Sequence, residues 1–156
     1  MRRGPRRCAL LAEASLALLD ARLRCGLWPF RRLARHLGGL KPAAAAPGAV
    51  PVDPPTAETI RTVRWAIAAA ARRMPFRTAC LQQAIAARAM LRRRAIGSVL
   101  RLGVGDPSGT VLEAHAWLDA GALKVTGYPV DPALAEVGCF VWDPRDQPET
   151  SESRTA

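Results

Sequence analysis

The apolar period of the chain changes once, at Ile96, and that change limits the folds open to it. Before Ile96 the apolar residues recur at helical spacing; after it they run as strands punctuated by glycine turns. Leu11, Ala14, Leu18 and Ala21, widened by Leu10, Ala17 and Cys25, form the stripe of a first helix over about 8–24, which Gly26 ends. Trp28-Pro29-Phe30 opens a shorter helix that runs through Leu33 and Leu37 to Gly38-Gly39. Ile60, Val63, Ile67 and Ala71 mark a third helix from Thr56 to about Arg73, stopped by Met74-Pro75, with Trp65 flanking the core. Cys80, Ala84, Ala87 and Leu91 mark a fourth, with Thr78 as N-cap and Arg88, Arg92, Arg93 and Arg94 directed largely outward.

Beyond Ile96 the stretches 96–104, 111–119 and 122–127 read as an antiparallel meander turned by Gly105–Gly109 and Ala120-Gly121. One more short strand is expected at Cys139–Trp142, after an irregular stretch. Helices first, then a long helix feeding a small antiparallel sheet, is an α+β plan. The segments that follow are a basic disordered tail over 1–7, a helical segment over 8–40, a Pro/Ala-rich connector over 41–55, a core over 56–143 and a disordered polar tail over 144–156. The connector, K-P-A-A-A-A-P-G-A-V-P-V-D-P-P, favours extended geometry and reads as a surface strap.

A chain of 156 residues makes one domain that needs no disulfides to fold. The net charge of +10 and pI of about 11.1 fit two origins. One is attraction for nucleic acid, anionic lipid or an acidic peptide. The other is the codon bias of a GC-rich genome, because the only lysines are Lys41 and Lys124 and alanine is abundant. Aromatic residues are only 5% of the chain and do not alternate with basic ones, so no nucleic-acid partner is expected. No apolar run approaches the roughly 18 residues a membrane span needs. The basic start followed by C-A-L-L-A-E-A-S-L-A-L-L has the outline of a signal peptide, but Glu13 interrupts it and no small-x-small cleavage site follows.

Cys8, Cys25, Cys80 and Cys139 form no C-x-x-C pair, and His36 and His115 are far apart, so no metal or other cofactor is expected. Scattered single cysteines predict a reducing, cytoplasmic location. Cys8, Cys25 and Cys139 read as buried and inert. His36, among arginines with no acidic partner nearby, reads as a surface histidine.

Cys80 differs from the other cysteines because it opens a helix. A thiolate there is stabilised by the positive end of the helix and its unpaired N–H groups, which can also bind the oxyanion formed when a carbonyl is attacked. An imidazole nearby would take the thiol proton and return it to the leaving amine. His115, on a strand between Ala114 and Ala116, is the plausible supplier. Trp117 is expected to pack beside it, and Gln82 and Gln83 read as helix residues.

The run C-L-Q-Q-A-I-A-A-R-A-M-L-R-R-R-A-I-G-S-V-L-R-L-G-V, followed by A-H-A-W-L-D-A-G, resembles the transglutaminase-like cysteine protease superfamily. More closely it resembles the leader peptidase part of the B protein of lasso peptide biosynthesis. A-E-A-S-L-A-L-L-D-A-R-L and W-P-F-R-R-L resemble that family's helical leader segment, so the likeness covers roughly 9–142. It implies a transglutaminase/papain-like core over 56–143, with Cys80 as nucleophile and His115 as general base. The family often places an aspartate about a dozen residues after the histidine to orient the ring. Here that place is Thr126-Gly127-Tyr128, which holds no carboxylate. Asp131 is the best substitute for the third member, and Asp119, at a strand end, shapes the turn. Either a displaced carboxylate or a backbone carbonyl holds the ring, or activity is reduced.

The resemblance further implies hydrolysis of one peptide bond between the leader and core of a ribosomally made precursor peptide. It implies a separate leader-binding protein and an ATP-dependent macrolactam synthetase as partners, the chain being too short to carry its own leader-recognition domain. Acyl transfer to an amine uses the same pair of residues. A basic scaffold that binds an acidic peptide or nucleic acid, with Cys80 incidental, is the non-enzymatic reading.

Overall fold

The computed structural model describes residues 3–106 and 108–146. Four helices, α1 (Arg3–Leu27), α2 (Phe30–His36), α3 (Pro54–Ala71) and α4 (Cys80–Arg92), precede four strands, β1 (Ser98–Gly105), β2 (Glu113–Ala120), β3 (Leu123–Thr126) and β4 (Leu134–Trp142). The strands form one antiparallel sheet in the order β3-β2-β1-β4, so the fold is α+β. No described helix is long and apolar enough to cross a membrane.

One face of the sheet meets the helices. Leu100, Ala116, Leu118, Ala120 and Phe140 join Leu18, Ile60, Val63, Ile67, Met90 and Leu91 in a single buried cluster. Side chains alternate along a strand, so Val99, Arg101, His115, Trp117 and Asp119 fall on the opposite face. The connector straps this second face. Lys41 and Cys139 exchange backbone hydrogen bonds of 2.8 and 2.9 Å, and Ala122 N–H donates to Val50 O at 2.9 Å.

Several boundaries differ from those expected. Helix α1 already runs at Arg3 instead of starting near Cys8, since Pro5 falls within the first turn, where a missing N–H costs no hydrogen bond. Cys8 is exposed, not buried. Helix α3 starts two residues before Thr56: Asp53 is its N-cap, accepting from Thr56 N–H at 3.1 Å, and Pro54 and Pro55 lie inside its first turn. The final strand begins at Leu134, and it pairs with β1 on the far side of the sheet instead of continuing the meander. A bulge hid it: the register shifts between Leu102 and Gly103, which breaks the alternation of β4 and leaves Val137 exposed. Arg88, expected to face outward, is buried at 6% exposure, because α2 and the end of β4 close over that side of α4. The expected tails fall partly on residues 1–2 and 147–156, which lie outside the described residues.

Candidate active site

Cys80 is the first residue of α4. Ala79, not Thr78, occupies the N-cap position, with extended backbone at φ −71 and ψ 158. Because alanine cannot cap, two glutamines of the first turn reach back. Gln82 Oε1 accepts from Ala79 N–H at 3.1 Å, and Gln83 Nε2 donates to Thr78 O at 3.1 Å and Thr78 Oγ1 at 3.0 Å. These bonds fix the entry of the chain into the helix, and therefore the direction of the thiol. The opening amides of α4 have no acceptor within the helix, which leaves them available to an anion beside Cys80. Cys80 is half-buried, carries a free thiol and packs against the helix-side core.

His115 lies near the start of β2, opposite Gly103 of β1. A Cβ on Gly103 would stand 2.8 Å from Trp117 Cζ3, so the glycine gives the indole its place. Trp117 is buried and in turn supports the imidazole, the rings lying 6.1 Å apart at 20°. Nε2–H of His115 donates to the Gly127 carbonyl at 2.6 Å. That bond assigns the proton of the neutral ring to Nε2 and leaves Nδ1 as the basic nitrogen. Gly127 has φ +80, and a Cβ there would lie 2.8 Å from Trp117 Cα, so this close approach of the carbonyl requires glycine.

Helix α4 packs against β2, which brings the elements bearing Cys80 and His115 together. The two side chains are not hydrogen-bonded: the ring bond of His115 among the described residues is to Gly127. His115 belongs to the face opposite the helix-packed row, whereas Cys80 packs on the helix side. Strand β3 pairs only with Leu118–Ala120 of β2, so beside His115 the outer edge of β2 has no strand partner.

Asp131, the expected third member, makes no hydrogen bond to His115 among the described residues; its Oδ1 accepts from Ala133 N–H at 2.8 Å within its own turn. Asp119 does more than shape a turn. It takes Arg101 Nε at 3.0 Å and the Tyr128 hydroxyl, while Arg101 Nη1 reaches Glu136 at 2.9 Å. This network anchors Tyr128 and, through it, the neighbouring Gly127. Burial, then the Asp119 carboxylate, push the Tyr128 phenol above its ordinary pKa. The backbone-carbonyl alternative is the one that the ring bond to Gly127 matches. The Arg101–Asp119–Glu136 network is not among the sequence expectations, and its sequence signal is charged residues, Arg101 and Glu136, inside otherwise apolar strands. His36 is exposed as expected, accepting from Arg24 Nη1 and standing edge-on to Trp28. Among the described residues no group of three or more His, Cys, Asp or Glu could hold a metal.

An α+β protein with a helix-opening cysteine and a carbonyl-held histidine on the adjoining strand is the class that this geometry defines. The family model described as transglutaminase-like superfamily matches residues 25–136, a span that includes Cys80, His115 and Asp131. The chain belongs to the transglutaminase-like superfamily, which includes cysteine peptidases and acyltransferases and typically works through a cysteine. No curated protein and no solved structure matches it.

Proposed function

We propose that the chain is a cysteine peptidase that removes the leader from a ribosomally made precursor peptide in lasso peptide maturation. The observation that carries the reading is the position of Cys80 at the first residue of α4, inside the matched segment, on a helix that packs against the strand bearing His115. His115 Nδ1 would take the thiol proton, a step that requires ring and thiol to come within hydrogen-bond reach of each other when substrate binds. The thiolate attacks the last leader carbonyl, and an Sγ–C bond forms while the opening amides of α4 hold the oxyanion. The proton then passes to the leaving amine as the C–N bond breaks, and water hydrolyses the acyl-enzyme. Orientation of the ring is assigned to the Gly127 carbonyl, with Asp131 the alternative third member. A separate leader-binding protein would present the precursor, and an ATP-dependent macrolactam synthetase would use the released core.

The lack of a hydrogen bond between His115 and Cys80 favours a second reading, a non-catalytic basic scaffold for an acidic peptide. Mass spectrometry of the precursor incubated with the chain and a leader-binding partner separates the two. A single cut, lost in both Cys80→Ala and His115→Ala, is expected. A cut that survives Cys80→Ala, or no cut by folded protein with its partner present, overturns the peptidase. A product carrying an added amine in place of water identifies acyl transfer.

A further inference from the structure

Arg88 carries a charge that the fold uses only in part. Its Nη2 donates to Leu37 O at 2.8 Å and Val141 O at 3.4 Å, which pins the guanidinium between the end of α2 and the end of β4. Its Nη1 is buried and has no hydrogen-bond partner among the described residues. Leaving a charged donor buried without an acceptor is costly, so such a group calls for a partner. Burial, with Arg92 second, pushes its pKa down to about 10, which keeps it cationic at neutral pH.

Arg88 lines a cavity of about 400 Å³ together with Asp20, Arg24, His36, Arg92 and Arg93. The carboxylate among these, Asp20, is already bonded to Arg24 at 2.9 Å, and Arg93 is taken by Glu13 at 3.0 Å. Arg88 and Arg92 have no carboxylate partner among the described residues. The His36 ring is held below its ordinary pKa by burial first and then by Arg24 and Arg92, as expected of a site with excess positive charge.

We propose that this cavity is an oxyanion site, in which a carboxylate or phosphate group drawn by Arg88 and Arg92 accepts from Arg88 Nη1 once the wall that closes that atom off from solvent moves aside. A guanidinium presents parallel N–H donors that match the paired oxygens of both groups. The site is eight residues along α4 from Cys80, or about 12 Å at 1.5 Å per residue. It is thus separate from the thiol, and the inference stands whether or not Cys80 is catalytic.

Isothermal titration of the full chain with inorganic phosphate and, separately, with glutarate at constant ionic strength tests it. Saturable binding of one anion per chain is expected, and the tighter probe identifies phosphate or carboxylate as the natural chemistry. Arg92→Gln, at an exposed rim position, should weaken binding about tenfold, the size of one hydrogen bond to a charged group. Arg88→Lys, which keeps the charge but loses the fork, should weaken it further. The His36 ring should titrate higher in the bound form, as a nearby anion offsets Arg24 and Arg92. No saturation by either anion at about 10 mM, ten times a millimolar dissociation constant, overturns the proposal. So does binding that is unchanged in folded Arg92→Gln.

Discussion

His115 Nε2 donates to the carbonyl of Gly127, twelve residues further along the chain and 2.6 Å away. A backbone carbonyl thus stands where the resembling family often has a carboxylate. It can fix the tautomer and the angle of the ring, but it brings no full negative charge to stabilise an imidazolium. The site therefore has orientation without the electrostatic part of a triad.

If the carbonyl alone orients the ring, Asp131 is dispensable. Asp131→Asn preserves the acceptor for Ala133 N–H and should leave kcat/KM for precursor cleavage within about twofold. His115→Ala should lose the factor of about 10²–10⁴ that a general base contributes. A loss in Asp131→Asn comparable to that of His115→Ala would show that Asp131 moves to the ring when substrate binds.

Gly127→Ala should be among the more damaging single-methyl changes in the chain. The residue has φ +80, and the new Cβ would stand 2.8 Å from Trp117 Cα, a backbone atom that cannot swing aside. Strain and overpacking together predict a loss of about 2–4 kcal/mol in urea denaturation. A change under about 0.5 kcal/mol would mean that the loop shifts freely, and the carbonyl would then be a poor candidate for holding the imidazole.

The helix-opening cysteine and the histidine strand were legible because each depends on local pattern: a helical stripe from Cys80 to Leu91, and a short stretch around His115 bounded by the turns at Gly105–Gly109 and Ala120-Gly121. Long-range relations were not. Nothing near Leu134 announces that the last strand crosses to β1, because the bulge breaks its alternation. Arg88 sits in a run of arginines that reads as a solvated face, yet partners 51 and 53 residues away bury it. Gly127 reads as the end of the third strand, at the place where a third member is missing, and only the folded sheet shows that its own carbonyl bonds the His115 ring.

Tyr128 is the single tyrosine of the chain, so its ionisation can be followed by absorbance without interference from another. Its folded pKa is raised by burial and then by Asp119. A group whose folded pKa lies above its unfolded value contributes stability that is complete below the unfolded pKa and is lost as pH rises through the folded one. Tyrosinate should therefore appear above the ordinary value of 10.0 in the folded chain and near it in concentrated urea. Stability should decline with pH above that value, and Tyr128→Phe should flatten this alkaline limb. Ordinary ionisation in the folded state would remove the Asp119–Tyr128 bond from the account.

At the acid end one titrating contact ties α1 to the two arginines that follow α4. Glu13 accepts from Arg94 at 3.0 and 2.7 Å and from Arg93 at 3.0 Å. Its pKa is lowered chiefly by the Arg94 hydrogen bond, against the opposing effect of burial, with Arg93 adding to the lowering. For a carboxyl with a depressed folded pKa, the stabilisation is present above the unfolded value of 4.5 and is lost as pH falls through the folded value. Since the glutamate is only partly shielded, the pair contributes about 1 kcal/mol at most. Denaturation midpoints measured from pH 7 down to pH 3 should fall in the wild type below about 4.5, and Glu13→Gln should remove about that much of the slope while lowering stability at neutral pH. An unchanged acid limb in Glu13→Gln would remove the Glu13–Arg94 pair from the account of acid sensitivity.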